Sequence, residues 1–194
     1  MPNWCNNTVD IKHEDPAMIE RARQAFNEGR LLDEFIPVPQ ELKDAVADFK
    51  VNEALVAKYG YSNWYDFSVA NWGTKWDVGA DGQEALVQDA NHITLNFDSA
   101  WAPPIAAYEQ MAAMGFEIRA MYYEPGMCFA GIWEDGYDDY YEYSSMTSEE
   151  VAANLPSELD ECFCISESMA EWEEENIDID LDGGLSATNE QDPV

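Results

Sequence analysis

The chain has 194 residues, with 40 acidic and nine basic side chains and a net charge of −31 at pH 7. Such a charge repels nucleic-acid phosphates and anionic lipid surfaces, which excludes direct nucleic-acid binding and membrane binding as first readings. It attracts basic proteins, cations and grooves shaped for nucleic acid. With 46% hydrophobic and 13% aromatic residues, the chain is too apolar for wholesale disorder, and its length suits one domain, or one domain with an appendage.

Trp4 to Ile11 reads as a strand, with Cys5, Asn7, Val9 and Ile11 on one face. Asp15-Pro16 starts a helix as N-cap and first helical residue. Met18, Ile19, Ala22, Ala25 and Phe26 follow at helical spacing, and Gly29 closes it. Leu31 to Pro39 reads as an irregular apolar connector because of its two prolines. A second helix is expected from Glu41 to about Lys58, its apolar stripe formed by Leu42, Ala45, Val46, Phe49 and Val56. It ends at Tyr59-Gly60, and Asn63 to Phe67 forms a short helical turn.

In NWGTKWDV, Trp72, Thr74, Trp76 and Val78 alternate with Gly73, Lys75 and Asp77 as in a strand, and His92 to Phe97 alternates likewise. The two are expected to pair antiparallel, joined by a short polar connection. A helix from about Pro104 to Met114, closed by Gly115, precedes a strand from Phe116 to Tyr123. Pro125-Gly126 then suits a type II turn into a strand from Met127 to Trp133. The order is β-α-β-β-α-β: an α+β, ferredoxin-like antiparallel sheet over residues 1–134, with a helical insertion at 31–70. Residues 135–194 form an acidic helical C-terminal extension, which opens on a Tyr- and Asp-rich continuation of the last strand and is expected to be mobile from Asn176 onward.

MPNWCNNTV at the N-terminus, FIPVP at 35–39, NWGTKWDV at 71–78, FDSAWAPP at 97–104 and YYEPGMCFAG at 122–131 together resemble the YubB-like family. These are ferredoxin-fold open reading frames of plasmids and bacteriophages, and the likeness covers roughly residues 1–134. It implies a mobile-element origin and a bacterial cytoplasm, and no activity or catalytic role is carried over from it. The acidic extension lies outside the pattern.

No catalytic constellation is legible, so the chain is not read as an enzyme. Neither His13 nor His92 has a nucleophile or carboxylate at a telling spacing. Cys5 lacks basic neighbours, and the Cys162-x-Cys164 pair lacks a second metal-spaced pair. All four cysteines are expected to be reduced thiols, since the N-terminus has no signal-peptide pattern, and no cofactor is implied. Trp4, Asn6, Trp72, Lys75, Trp76, Asp77 and Trp101 could form a ligand-binding face, though aromatic core filling is the preferred reading. Asp178-Ile-Asp180-Leu-Asp182-Gly183 resembles the start of a calcium loop. Its twelfth position is Asn189 instead of Glu, so Asp178, Asp180 and Asp182 are a weak metal candidate, and a solvated tail is preferred.

Residues 120–194 hold 21 of the 40 acids and none of the nine bases. Thr147 with Glu150 makes a capping box for a short helix ended by Pro156, and Ser157 with Asp160 suggests a second start. Leu159, Cys162, Phe163, Met169 and Ala170 recur near helical spacing, giving one amphipathic helix with an acidic exterior. The expected partner-binding surface comprises Asp138, Asp139 and Glu142, then Glu149 and Glu150, then Glu158, Asp160 and Glu161. Glu167, Glu171, Trp172, Glu173, Glu174 and Glu175 complete it. Carboxylates in a helical row can imitate DNA phosphates. The expected function is therefore a DNA-mimic inhibitor of a basic or nucleic-acid-binding host protein, of anti-restriction or anti-CRISPR type. The alternative is a non-catalytic protein- or peptide-interaction module whose acidic tail only confers solubility. Either is compatible with a homodimer.

Overall fold

The computed structural model describes residues 2–47 and 51–182, residues 177–182 by backbone alone. It divides into two compact units, residues 1–142 and 143–194.

The first unit is mixed α/β, built on a six-stranded antiparallel sheet. β1 (Trp4–Lys12) is central, flanked by β3 (His92–Ala100) and β4 (Glu117–Glu124); β2 (Leu86–Asp89), β5 (Phe129–Glu134) and β6 (Tyr137–Glu142) complete the order β2-β3-β1-β4-β5-β6. On β1 the predicted alternation is met: Cys5, Asn7, Val9 and Ile11 are buried, and they meet Ile93, Leu95, Phe97 and Ser99 in register. Two helices supply the opposing layer. α1 (Pro16–Asn27) is capped by the Asp15 carboxylate, which accepts from Ala17 N–H at 2.9 Å, and it buries Ile19, Ala22, Ala25 and Phe26. α6 (Ile105–Ala113) buries Ala107, Tyr108 and Met111. At roughly 25 cal/mol per Å² of apolar surface removed from water, this two-layer core is the main source of stability.

Between α1 and β2 the chain departs from expectation. Leu31–Phe35 is a short helix, α2, because Asp77 supplies its cap from far along the chain: the carboxylate accepts from Leu32 N–H at 2.7 Å and Asp33 N–H at 2.9 Å. The single helix expected from Glu41 to Lys58 is instead α3 (Gln40–Lys43) and α4 (Glu53–Tyr59). Its apolar stripe fails at Val46, which is 78% exposed, and Phe49 lies outside the described residues. Asn63 caps α5 (Trp64–Trp72) by accepting from Tyr65 and Asp66 N–H, so the short helical turn runs on to Trp72.

NWGTKWDV is therefore not a strand. Trp72 closes α5, Gly73 takes φ +85°, and the segment to Val78 is irregular. Its alternation reflects inward anchors, not a ladder. Trp72 Nε1 donates to Ile36 O at 3.0 Å, the Thr74 hydroxyl to Ala100 O at 3.0 Å, and Val78 is buried. Gly73 is required because a Cβ there would stand 3.2 Å from Ile105 N and 3.3 Å from Pro103 O, at the start of α6. The strand that pairs with β3 on its outer side is β2, taken from sequence as a polar connection; all four of its residues are exposed.

The β4–β5 turn also differs. The left-handed residue is Cys128 at φ +56°, not Gly126, so it is not a type II turn. Tyr137–Glu142, expected to continue the last strand, folds back on it through Asp135 (φ +51°) and Gly136 (φ +82°). Two successive positive φ values mark the tight hairpin turn that Asp-Gly favours. The first unit thus includes this sixth strand and runs to Glu142.

The second unit is helical. α7 (Ser148–Asn154) has the predicted capping box: Thr147 Oγ1 accepts from Glu150 N–H, and Glu150 accepts from Thr147 N–H at 2.9 Å. The long amphipathic helix is two: α8 (Ser157–Phe163) and α9 (Ile165–Asp182), separated by Cys164 at φ +51°. Pro156, not Ser157, occupies the cap position of α8. Val151, Leu155, Leu159 and Ile165 are buried in this unit, whereas Cys162 is exposed and leaves the expected stripe. Among the described residues, no helix is long and apolar enough to cross a membrane.

Candidate functional site

The predicted acidic surface falls on both units. On β6, Asp138 and Asp139 are exposed, but Asp138 has structural work: it accepts the Tyr122 hydroxyl at 2.6 Å. Burial pushes the Tyr122 hydroxyl well above its ordinary pKa, and the adjacent Asp138 carboxylate adds to the shift. Glu142 ends the strand.

On the helical unit the carboxylates divide by role. Glu150 closes the α7 capping box. Asp160 accepts from Ser166 N–H at 2.7 Å and from Ser166 Oγ at 2.6 Å, capping α9 across the Cys164 break. Glu173 accepts from Ser148 N–H at 2.9 Å and Ser148 Oγ at 2.6 Å, which pins α9 to the start of α7. Those two bonds, the hydroxyl's first, hold the Glu173 carboxyl below the usual range. Glu158 is exposed on α8.

What remains is a row. Glu167, Glu171, Glu174 and Glu175 are exposed, and among the described residues none of their carboxylates accepts a hydrogen bond or ion pair. Positions i, i+4, i+7 and i+8 share one helix face and span about 12 Å at 1.5 Å per residue. Glu173 and the half-buried Met169 point the other way. Trp172 flanks the row and is 65% exposed. Glu149 and Glu161 add exposed carboxylates on α7 and α8.

The metal candidate fares differently. The backbone of Asp178, Asp180 and Asp182 continues the helix instead of looping, and their side chains lie outside the described residues, as do Gly183 to Glu190. Among the described residues, no group of three His, Cys, Asp or Glu side chains could hold a metal ion.

Both histidines are held by neighbours. His13 Nδ1 accepts from Asp15 N–H at 2.9 Å and its ring meets Phe116 edge-on; His92 Nε2 lies 3.0 Å from Asp10 on the sheet surface. Cys5 is fully buried, and desolvation pushes its thiol up to about 12.

The first unit holds a second grouping, only half of it marked out in the sequence. Of the suspected Trp and Asn face, Trp72 is core and Asp77 a helix cap, but Trp4, Lys75, Trp76 and Trp101 do come together. The Lys75 ammonium sits 4.4 Å from the Trp76 ring centre, 5.1 Å from Trp101 and 5.9 Å from Tyr65. Trp4 continues the surface, 5.9 Å from Trp76. Trp4, Trp76 and Trp101 are 45%, 38% and 42% exposed, too much for core filling. Trp101 adopts φ +71°, a left-handed conformation costly for a bulky residue. Tyr65 was missed because its place in a capped helix beside Lys75 depends on the whole loop fold.

Compared with known proteins, the chain matches no family model and no curated protein. Among solved structures it is similar to protein api92 from Yersinia pseudotuberculosis, of the family model DUF1281, with 16% identity and a TM-score of 0.44 over 75% of this chain and 99% of that one. A likeness of that degree says nothing about activity.

Proposed function

We propose that this is a non-enzymatic acidic binding protein whose C-terminal helical unit imitates nucleic-acid phosphates toward a basic partner. The observation that carries the reading is the row Glu167, Glu171, Glu174 and Glu175 on α9, held in place by Ser148 and Glu173. Four charges over about 12 Å approach the spacing of one DNA strand, roughly 3.4 Å of axis per phosphate. Trp172 beside them offers the aromatic anchor common at interface hot spots. The unit contains no Lys or Arg to neutralise the row.

We read the first unit as ferredoxin-like: β1, β2, β3 and β4 lie in the order β2-β3-β1-β4, with α1 and α6 as the two crossovers and β5 and β6 as additions. The YubB-like resemblance supports a mobile-element gene product acting in a bacterial cytoplasm, against a host restriction or CRISPR-type effector.

The test is DNA displacement. Full-length protein and the Glu167→Gln, Glu171→Gln, Glu174→Gln, Glu175→Gln variant are titrated into DNA complexes of such effectors. Mimicry predicts displacement that weakens at least about tenfold in the variant and falls steeply with salt. Displacement equal for both proteins, or none by either, removes the reading.

A further inference from the structure

The cleft beside the Lys75 grouping, independent of the acidic row, is a second place where this protein is built to hold something. It measures about 320 Å³, at the lower end of the range for small-molecule sites. Trp64, Trp72 and Trp76 supply flat walls, and Val38 adds an apolar one. Three indoles around one small cleft favour a planar, polarisable body over an aliphatic one.

Its polar groups are nearly all donors. Lys75 lines the cleft, and among the described residues no carboxylate pairs with it; only aromatic faces hold its ammonium. The indole N–H groups of Trp64 and Trp76 make no hydrogen bond among the described residues, whereas that of Trp72 is spent on Ile36. Ser68 also lines the cleft, with its hydroxyl oxygen turned into the protein, where it has no partner among the described residues. The obvious acceptor, Asp77, is already occupied: it takes the N–H groups of Leu32, Asp33 and Val78. Lys43 also lines the cleft, balanced by Asp33 at 2.6 Å.

We propose that this cleft binds a small planar aromatic anion, its ring against Trp64 and Trp76 and its carboxylate or phosphate on Lys75. The net charge of −31 opposes any anion at long range, but charges beyond about 8 Å are screened at physiological salt. An aromatic cage is costly to build around an ammonium with no other role. The left-handed Trp101 is part of that expense.

The experiment follows the tryptophan indole N–H resonances of the full-length protein while 1-naphthoate, the neutral 1-naphthamide and the cationic 1-naphthylmethylammonium are added in turn. A phosphate counterpart, 1-naphthyl phosphate, distinguishes the two anionic heads. The expected result is saturable shifts confined to indoles of the cleft with the anions, and binding at least about tenfold weaker for the amide and the ammonium. Lys75→Gln should weaken naphthoate binding about tenfold and Lys75→Arg should retain it, with the remaining indole resonances unmoved. The proposal is overturned by no saturation up to about 1 mM, by an amide or ammonium that binds as well as naphthoate, or by a Lys75→Gln variant, its spectrum otherwise unchanged, that binds normally.

Discussion

Tyr122 and Gly131 are partners across the β4–β5 ladder, and the Tyr122 ring lies over the space that a side chain at 131 would fill. That vacancy lets the Tyr122 hydroxyl reach Asp138 on β6, 2.6 Å away, so one side chain links three strands. A Cβ at 131 would overlap that hydroxyl and stand 2.8 Å from the Asp139 carbonyl oxygen, which belongs to backbone and cannot turn aside. Gly131→Ala should destabilise the protein by about 3 kcal/mol, read as a lower urea midpoint. Ser at the same position should do no better.

Tyr108 presents the opposite case. Its ring packs 5.5 Å from Trp133 in the core, but its buried hydroxyl has no partner among the described residues, and burial drives its ionisation well above the ordinary value. Tyr108→Phe should therefore stabilise the fold by about 1 kcal/mol, the desolvation cost of an unmade bond. Thermal unfolding measures it, and a destabilised variant would show that the hydroxyl is bonded.

The Ser148–Glu173 clasp carries a pH dependence. Since the Glu173 carboxyl is held below its usual 4.5, its contribution is present above that value and lost as pH falls through the lower, folded-state pKa. Glu173→Gln should remove that acid-dependent increment of helical-unit stability. Ser148→Ala should shrink it. Circular dichroism melts from pH 6 downward give the comparison.

Thiol chemistry should separate the cysteines. Cys5 is buried with its thiol pushed up to about 12, while Cys162 and Cys164 are exposed on the helical unit. Only thiolates attack alkylating agents readily. Iodoacetamide on the native protein should label Cys162 and Cys164 within minutes and spare Cys5 until denaturant is added, as mass spectrometry of the peptides would show.

Much of the first unit was legible because local signals and burial agree there. Asp15-Pro16, the β1 alternation and Gly115 each name an element in a few residues. NWGTKWDV misled because period-two alternation arises wherever a segment plants every second side chain inward, ladder or not. The chain cannot reveal that Asp77 caps α2, a bond closed over 44 residues. Asp135-Gly136 carries a hairpin signal in the sequence itself, masked by the Tyr-rich strand pattern that follows it. Within the site, the capping box at Thr147 announced α7, but a left-handed Cys164 has no sequence signature, so α8 and α9 merged into one helix. The Lys75 grouping was half-visible as scattered tryptophans. Their exposure, which turns core into surface, depends on where Gly73 and Trp101 bend the chain.

β6 ends the sheet, and among the described residues no further strand pairs with it. In full antiparallel register with a second copy, Asp138, Asp139 and Glu142 would stand opposite Tyr141, Tyr140 and Tyr137, and the carboxylates of the two edges would be diagonal neighbours, so their repulsion limits ribbon growth through that edge. Neutral side chains there would release the brake: in an Asp139→Asn, Glu142→Gln variant the Tyr-rich edge becomes a template, and the protein should accrete edge to edge.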